Sequence, residues 1–420
     1  MPMSSHFKNR LAPLLHEIVH TFGTPFHIYD ETGINQTCDE LNLAFEKIKG
    51  FKEYFAVKAL PNPSIMALLK KKGFGFDCSS IPEITLSRNI GSRGEEIMFT
   101  SNNTSREQFL GALDQEGCII NLDDISLISK LPKIPKLICF RYNPGARRTG
   151  NKIIGNPMES KYGLTHDQIL DAYKKSMDLG IKHFGIHTML ASNELDYTYM
   201  VETTDMLLSI IQKIHETLGI QFDFINIGGG LGIPYTPNTP KFDLSAMAVG
   251  ITRSFEAFQQ KNGWVPKLYM ESGRYITGPH GALVTSVINH KEIYRNYVGV
   301  DASMSALMRP GMYEAYHHIH IHGKEDATPQ KKVDVVGALC ENNDKFAIQR
   351  DLPATSEGDI LVIHDTGAHG HSMGFNYNGH LRPKELLLGK EGNVELIRRA
   401  ETMDDYFSTL KFEPKSMGHA

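Results

Sequence analysis

The stretch FKEYFAVKALPNP, residues 51–63, decides how the rest of the chain is interpreted. Its aromatic and apolar run from Tyr54 to Val57 predicts a buried strand, and Pro61 and Pro63 prevent that strand from continuing. Lys58 stands at the end of this strand, where an ammonium must be solvated, paired or neutral because burying it unpaired is costly. Burial lowers the pKa of an amine and makes it a usable nucleophile for Schiff-base chemistry. The simpler alternative is a lysine whose head reaches solvent from the end of a strand.

Length and composition limit the classes of protein that the 420 residues can form. Hydrophobic residues make up 41% and charged residues 22%, which is typical of a globular protein with two domains or one large barrel and an appendage. The net charge of −4, without a basic block, argues against a nucleic-acid partner. We expect no membrane span, since no run of 18 apolar residues occurs, and no signal peptide, since MPMSSHFKNRLAPLLHEIV carries charges. Five scattered cysteines without a CxxC pair indicate a reducing, cytoplasmic location.

Strand-like and helix-like runs alternate up to about residue 278, after a strand-like segment at 25–29. The helix-like runs cover residues 63–72, 80–89, 106–115, 165–179, 194–218 and 244–260. They separate strand-like runs at residues 54–57, 74–77, 96–100, 118–122, 136–142, 183–189, 222–227 and 267–271. About eight βα units in this length favour an α/β fold of the (β/α)8, TIM-like barrel type over a doubly wound α/β domain, which is the alternative.

The pattern changes after Gly278, where helix-like runs become rare. Strand-like runs at residues 282–294, 297–301, 318–323, 333–340 and 359–365 are separated by turns and predict a mostly antiparallel sheet. We therefore expect a barrel over residues 30–278. A second, β-rich domain is expected over residues 279–420, with a contribution from residues 1–29.

Chemically useful residues cluster where barrel strands are predicted to end, which is where barrels of this kind hold their functional residues. Besides Lys58, these positions hold Asp77, His187, Ser192, Gly228, Gly229, Gly230, Glu271, Gly273 and Arg274. Three glycines after a strand allow backbone N–H groups to approach a phosphate, although such turns are also common without a ligand. Taken alone, Glu271 and Arg274 fit a surface ion pair better than a binding site. Together, an amine, a phosphate cradle and an acid are what pyridoxal 5′-phosphate (PLP) requires.

Eight motifs in this order resemble those of one known family. They are YFAVKALPNP, FGFDCSS, SKYG, FINIGGGLG, ESGRYITGP, DASMSALMRPGMYEAYHHI, GALCENND and DTGAHGHSMGFNYNG. Between about Pro25 and Leu388 the chain resembles the alanine-racemase-type, or fold type III, PLP decarboxylases that act on ornithine, diaminopimelate and arginine. It is most similar to the diaminopimelate decarboxylases.

For the barrel, the resemblance implies a role for each strand-end residue. Lys58 would bind PLP covalently, Glu271 would keep its pyridine nitrogen protonated, and Asp77 would lie beside both the lysine and the cofactor. The phosphate or the substrate would be surrounded by Ser192, Gly228, Gly229, Gly230, Gly273 and Arg274.

For the second domain, the resemblance implies contacts with an amino-acid substrate. Arg309 and Tyr313 would bind the distal end of diaminopimelate. Cys340 and Glu341 would be contributed by the partner subunit of a homodimer, and the Cys340 thiol or Lys58 would return a proton to the substrate. The implied reaction converts meso-2,6-diaminopimelate to L-lysine and CO2, as in lysine biosynthesis.

Two stretches depart from the family pattern. In HTMLASN, residues 187–193, Met189 stands where a histidine usually stacks on the PLP ring, and Ala191 replaces a glycine. In GAHGHSM, His369 replaces a tyrosine that lies near the phosphate and the substrate. Methionine packs on aromatic faces and histidine donates hydrogen bonds, so both residues are compatible with PLP.

These departures leave other functions open. A decarboxylase of D- or L-ornithine, D- or L-lysine or carboxynorspermidine is one alternative. An inactive, PLP-binding regulatory homologue is another, although the presence of Lys58, Glu271 and Cys340 argues against it.

The run YHHIHIHG raises the question of a metal site. Alternation along a strand would place His318, His320 and His322 on one face. We expect a solvated or interface face rather than a metal site, because no carboxylate or cysteine completes a ligand set nearby.

Overall fold

Eight parallel strands close into a barrel within residues 32–279, one of two units into which the chain divides. The computed structural model describes residues 2–150 and 155–411. The first strand, β1 (Phe26–Asp30), belongs to the other unit. The barrel strands are β2 (Lys52–Ala56), β3 (Gly75–Cys78), β4 (Gly94–Ser101), β5 (Cys118–Leu122), β6 (Leu137–Arg141), β7 (His183–His187), β8 (Phe224–Asn226) and β9 (Lys267–Met270). Pairing of β9 with β2 closes the barrel.

Helices connect most of the barrel strands. A 3₁₀ segment at Ile125–Lys130 takes the place of a helix between β5 and β6. The helices of this unit are α3 (Glu31–Ala44), α4 (Pro63–Lys71), α5 (Ile81–Asn89), α6 (Arg106–Leu113), α7 (His166–Asp178), α8 (Tyr197–Leu218), α9 (Leu244–Asn262) and α10 (Arg274–Thr277). The predicted (β/α)8 barrel is confirmed, and the doubly wound alternative is wrong, because the parallel sheet closes on itself.

Short polar side chains fix where several of these helices begin. Asn62 accepts a hydrogen bond from the Ser64 N–H at 3.0 Å, and Pro63 occupies the first turn of α4, where no N–H is needed. Thr165 and Gln168 form a reciprocal capping box at the start of α7. These caps satisfy backbone N–H groups that the first turn of a helix leaves without a helical partner.

Aromatic side chains fill the inside of the barrel. Tyr54, Phe224 and Tyr269 belong to one buried cluster, in which the rings of Phe224 and Tyr269 stack with centroids 4.3 Å apart. Gly185 on β7 leaves the space that the Phe224 ring needs, since a Cβ there would lie 2.1 Å from Cζ of Phe224. The interior is therefore packed, and the free space lies at the strand ends.

The second unit comprises residues 2–31 and 280–411 and is built on a mixed, mainly antiparallel sheet. Its further strands are β10 (Gly281–Glu292), β11 (Asn296–Val300), β12 (Ile319–Ile321), β13 (Lys331–Val336), β14 (Lys345–Leu352), β15 (Ile360–Ile363), β16 (Lys384–Leu388) and β17 (Val394–Arg398). The order is β14-β13-β11-β10-β1-β16-β17, and β15 pairs with both β10 and β12. The pairs β1–β16 and β11–β13 are parallel.

Four helices belong to this unit: α1 (Ser5–Leu11), α2 (Leu15–Phe22), α11 (Arg309–Tyr313) and α12 (Met403–Phe407). The first two bury Phe7, Leu11 and Leu15 against apolar residues of β1 and β10. The expected sheet is confirmed, although the sequence did not predict strands β14, β16 and β17.

The histidine-rich strand differs from its predicted environment. The side chains of His320 and His322 are each only 12% exposed, and the ring of His322 contacts that of His16 at 4.8 Å. Of the expected solvated or interface face, the solvated alternative is therefore wrong for His320 and His322, because the N-terminal helices cover them, while the interface alternative stays a prediction. Within residues 2–150 and 155–411, no three histidine, cysteine or acidic side chains are arranged to hold a metal ion.

Candidate active site

Lys58 lies on a cavity of about 380 Å³ at the carboxyl ends of the barrel strands. It follows β2 in a 3₁₀ turn, Val57–Ala59, and its side chain is exposed while Val57 and Ala59 are buried. Asp77, His187 and Glu271 line the same cavity. The strand-end lysine is thus solvated, and it faces the acidic residues that the sequence placed at neighbouring strand ends.

Glu271 is held by two hydrogen bonds from neighbouring strands. Asn226 Nδ2 at the end of β8 donates to its Oε1 at 2.7 Å, and His187 Nε2 at the end of β7 donates to its Oε2 at 3.1 Å. Burial alone would raise the pKa of Glu271, but the charge and hydrogen bond of His187, the charge of Lys58 and the Asn226 bond together bring the pKa below its usual range. Glu271 is therefore a carboxylate at neutral pH.

Asp77 shows the opposite behaviour in the same cavity. Its side chain is 2% exposed, and its buried Oδ1 has no hydrogen-bond partner in the described part of the chain. Burial, and then the charge of Glu271, raise the pKa of Asp77 well above its ordinary value, although Lys58 opposes this shift. The pKa values of the two carboxyl groups in one cavity are thus shifted in opposite directions, a separation typical of catalytic sites.

The turn after β8 can be built only from glycine. A Cβ on Gly229 would lie 1.9 Å from the carbonyl oxygen of Glu271, and one on Gly230 would lie 2.4 Å from that of Ala191. Gly228 adopts a φ of +71°, and its N–H donates to Asn226 Oδ1 at 2.9 Å. Met189 Sδ accepts from the Gly229 N–H at 3.3 Å. Gly228 and Gly229 are buried and their N–H groups donate to Asn226 and Met189, so the feature that this turn shares with an anion cradle is the absence of side chains.

Arg274 and Ser192 complete the predicted barrel group. Arg274 opens α10, and its Nη1 donates to the hydroxyl oxygen of Tyr235 at 2.5 Å. Gly273 precedes it, and a Cβ there would lie 2.7 Å from Cβ of Ala59, so this glycine lets the two strand ends approach. Ser192 is half-buried in the loop after β7.

The remaining predicted site residues belong to the second unit. Arg309 is buried, whereas Tyr313 is 61% exposed. Cys340 is exposed and free, and its N–H donates to Asn378 Oδ1 at 2.7 Å. Glu341 accepts from the Asn343 N–H at 3.1 Å. His369 has a φ of +56°, in the left-handed region.

Several cavity residues were not predicted from the sequence. Asn226 is the second partner of Glu271. Arg141 at the end of β6 pairs with Asp123 at 3.3 Å and stacks over the ring of Tyr162. The strand-end rule could have identified Arg141, and Tyr162 lies in the SKYG motif. Nothing in the sequence indicates that Asn226 bonds Glu271, because the contact depends on the register of β7, β8 and β9.

These residues fit PLP. The cavity offers an accessible amine and an ionised acid, and its buried Asp77 Oδ1 and His187 Nδ1 have no partner among the described residues. Polar atoms that are buried in this way require a ligand or water. The glycine turn lies beside the cavity, where Gly229 approaches the Glu271 carbonyl oxygen. An amine and an ionised acid are groups that PLP requires.

Comparisons with known proteins agree with this fit. Residues 32–278 match the family model of the pyridoxal-dependent decarboxylase, pyridoxal binding domain. The chain is 47% identical over 414 residues to Protein TabA of Pseudomonas amygdali pv. tabaci, covering 99% of this chain and 97% of that protein. It is 37% identical over 396 residues to the diaminopimelate decarboxylase of Methanothermobacter thermautotrophicus, covering 93% and 92%. The solved diaminopimelate decarboxylase of M. jannaschii superposes with a TM-score of 0.87 at 31% identity, covering 95% and 94%.

The fold and the site define a PLP-dependent carboxy-lyase, and PLP is its cofactor. The chain belongs to the pyridoxal-dependent decarboxylase family, and within it to the diaminopimelate decarboxylase group. The predicted resemblance to fold type III decarboxylases is confirmed. Among the described residues, none of the helices is both long and apolar enough to span a membrane.

Proposed function

We propose that the protein removes the carboxylate at the D-centre of meso-2,6-diaminopimelate and releases L-lysine and CO2. The observation that carries the decarboxylase chemistry is the single cavity that joins Lys58, Asp77 and the hydrogen-bonded Glu271. The choice of diaminopimelate is supported by relatives of that name at 30–37% identity over more than nine-tenths of the chain.

The chain's own residues divide the work. When bound, PLP withdraws the electrons that are left on Cα as CO2 departs. Lys58 Nζ would hold the cofactor, the Gly228–Gly230 turn and Arg274 would hold its phosphate, and the ionised Glu271 would keep a proton on its pyridine nitrogen. Asn226 and His187 keep Glu271 oriented and charged. Lys58 Nζ or the thiol of Cys340 would then return a proton to Cα.

Recognition of the distal end would fall to Arg309, assisted by Tyr313, Glu341 and His369. A guanidinium meets a carboxylate through two parallel hydrogen bonds, which a lysine ammonium does not reproduce. Arg309 is 7% exposed, so its side chain is ordered before substrate arrives. A preordered guanidinium favours a substrate that carries a second carboxylate.

We also propose a cytoplasmic homodimer acting in lysine biosynthesis, with Cys340 and Glu341 supplied to the partner's site. Cys340 is exposed, and the second unit carries the exposed apolar side chains Ile288, Ile293 and Tyr294. An apolar surface of this kind is typical of a subunit interface. All five cysteines are free, which is compatible with a reducing compartment.

A decarboxylase of another diamino acid is the second candidate: D- or L-ornithine, D- or L-lysine, or carboxynorspermidine. Two observations favour it. Met189, which replaces the stacking histidine, lines the cavity and accepts a hydrogen bond from the Gly229 N–H through its Sδ. In addition, a relative that is 47% identical is not named as a diaminopimelate decarboxylase. The complete Lys58, Asp77 and Glu271 constellation argues against an inactive homologue.

A CO2-release panel separates these candidates. Purified, PLP-loaded enzyme is assayed with meso-diaminopimelate, D- and L-lysine, D- and L-ornithine, carboxynorspermidine and arginine, with Lys58→Ala as the blank. The proposal expects the highest kcat/KM for meso-diaminopimelate. A higher kcat/KM for any substrate without a distal carboxylate would replace it with the second candidate.

A further inference from the structure

We propose that His317 is the positioning residue for Arg309 and thereby sets the preference for substrates with a distal carboxylate. This inference rests on the proposed function, because it takes Arg309 as the group that binds that carboxylate. Neither the sequence motifs nor the comparisons assign a role to His317.

The contact between the two side chains fixes the tautomer of the imidazole. Arg309 Nη1 lies 2.7 Å from His317 Nε2, and both side chains are buried. Because a guanidinium only donates hydrogen bonds, Nε2 must accept with its lone pair. The other ring nitrogen, Nδ1, lies 2.8 Å from the carbonyl oxygen of His364 and must therefore carry the proton and donate it. His317 is thus a neutral ring with one acceptor aimed at Arg309.

The backbone around His317 holds this acceptor in place. The next residue enters a ladder in which the His364 N–H donates to the His318 carbonyl at 2.9 Å and β12 pairs with β15. Arg350 Nη1 donates to the carbonyl oxygen of His317 at 3.0 Å. The imidazole is therefore tied through its own backbone and through His364, so its Nε2 has little freedom to move.

An imidazole suits this task better than an acid. A carboxylate partner would orient the guanidinium but also cancel its charge, which would weaken its attraction for a substrate carboxylate. A neutral imidazole occupies one of the five guanidinium N–H groups and adds no charge of its own. Burial raises the pKa of the nearby Asp365 carboxyl to about 7, and the charge of Arg309 opposes this shift. The contact with His317 therefore orients the guanidinium without adding a negative charge beside it.

Two amide substitutions test the two hydrogen bonds of the His317 imidazole separately. In His317→Asn the short amide can still reach the His364 carbonyl, but it is too short to place an acceptor at Arg309. In His317→Gln the longer amide can place its oxygen near the former Nε2 position. His322→Asn, in the same histidine-rich segment but without a contact to Arg309 or His317, is the matched control, and Arg309→Met is the reference for loss of the cation.

Binding is measured with two probes on PLP-loaded enzyme, through the change in cofactor absorption. L-lysine carries the distal amino-carboxylate, whereas 1,5-diaminopentane lacks that carboxylate. We expect His317→Asn to weaken L-lysine binding about tenfold, since this is the usual cost of one lost buried hydrogen bond, with diamine binding unchanged. Arg309→Met should show the same selective loss. His317→Gln should recover most of the affinity, and His322→Asn should match wild type.

The same titrations contain the results that would overturn the proposal. His317 would be a core residue only if His317→Asn kept the selectivity of the wild type for L-lysine, or if it bound both probes more weakly to the same degree. The same conclusion would follow if His317→Gln did not recover affinity for L-lysine. Unchanged L-lysine binding in Arg309→Met would overturn it as well. Should the asparagine variant fail to fold, His317→Met replaces it, because methionine fills the volume without a strong acceptor. An enzyme that does not turn over meso-diaminopimelate but shows the selective loss would refute the proposed substrate and retain the inference.

Discussion

At the scale of single residues, the cavity divides its acids by environment. Glu271 and Asp77 have the same functional group, yet the charge and hydrogen bond of His187, with the Asn226 bond, lower the pKa of the first, while burial raises the pKa of the second. The acid with the lowered pKa is the one that the family pattern assigns to the pyridine nitrogen. The chain therefore favours the charged form at the residue proposed to pair with that nitrogen and disfavours it at the neighbouring acid.

Lys58→Ala should abolish both turnover and the visible absorption band of the covalently bound cofactor. Lys58 Nζ is the amine that reaches the cavity from the end of β2. Lys161 lines the same cavity, so Lys161→Ala is the matched control and should keep the band. Both variants are examined by absorption after PLP is added and the excess removed. A band lost from Lys161→Ala and kept by Lys58→Ala would reverse the assignment.

Glu271→Gln should lower kcat about 100- to 1000-fold while PLP stays bound, because a neutral amide cannot keep the pyridine nitrogen protonated. Asp77→Asn should cost much less, since burial already disfavours the charged form of Asp77 and the amide has nearly the same shape. Steady-state kinetics on variants with equal PLP content test both statements. Equal losses in the two variants would contradict the division of roles.

Glu53 predicts a pH dependence of stability. It is buried on β2, accepts the Ser272 N–H, and has its pKa raised to about 8, chiefly by burial. The folded protein therefore keeps a proton on Glu53 that the unfolded chain releases. The contribution of Glu53 to the free energy of unfolding is fully present at acid pH and is lost as the pH rises from about 4.5 to about 8. Glu53→Gln keeps the acceptor and cannot ionise, so its melting temperature should fall less over this range.

The control for Glu53 is Glu46→Gln, a change at an exposed glutamate. Melting temperatures of the three proteins are compared at about pH 4.5 and about pH 9, at the two ends of the predicted interval. Parallel curves for wild type and Glu53→Gln would mean that Glu53 does not hold its proton in the native state.

Whether a site residue could be predicted from the sequence depends on whether local sequence or contacts between strands determine its position. Lys58, Asp77, Glu271 and the three glycines follow from a rule about strand ends, so a correct assignment of strands is sufficient to find them. Asn226 and Arg141 act through contacts that cross from strand to strand. Those contacts depend on barrel register, which local sequence does not encode.

At the scale of elements, the turns after β8 and β9 contact each other through their backbones. The Glu271 N–H donates to the Gly228 carbonyl at 2.9 Å, and Gly229 faces the Glu271 carbonyl. The glycine turn and Glu271, which are proposed to hold the phosphate and the pyridine nitrogen, are thus joined directly through their backbones. Asn226 is buried beside these turns, and its Oδ1 accepts a further hydrogen bond from the Gly228 N–H.

Gly229→Ala should destabilise the protein by about 1–3 kcal/mol and weaken PLP binding, because its Cβ would meet backbone rather than a movable side chain. Gly111→Ala on α6 is the control, since its Cβ would meet only the flexible side chain of Ile81 at 3.2 Å. Melting temperature and PLP titration are measured for both. A Gly229→Ala variant that binds PLP as wild type does would show that the turn can relax.

Elements were predicted unevenly for a physical reason. Barrel strands are buried on both faces and read as continuous apolar runs, and each of the eight overlaps its predicted run. Strand β14 alternates buried and exposed residues and carries charges, and β17 is largely exposed, so neither produces an apolar run. Strand β16 follows a proline and begins with Lys384-Glu385, which conceals its buried leucines.

At the scale of the whole molecule, the predicted site residues divide between the two units. Lys58 and Glu271 belong to the barrel, whereas Cys340 and Glu341 belong to the sheet unit, where Cys340 is exposed. An exposed residue with a catalytic role must be covered when the site is complete. The proposed homodimer, in which one subunit supplies Cys340 to the other, meets this requirement.

Mixing two inactive variants tests that arrangement. Lys58→Ala and Cys340→Ala homodimers should each be nearly inactive. After subunit exchange, half of the dimers are hybrids, and each hybrid has one site with both lesions and one site with neither. About a quarter of wild-type activity should therefore return, by this counting of a two-fold assembly. If each site were built within one chain, every hybrid site would carry one lesion. Hybrids verified by mass that show no recovery would rule out the shared site.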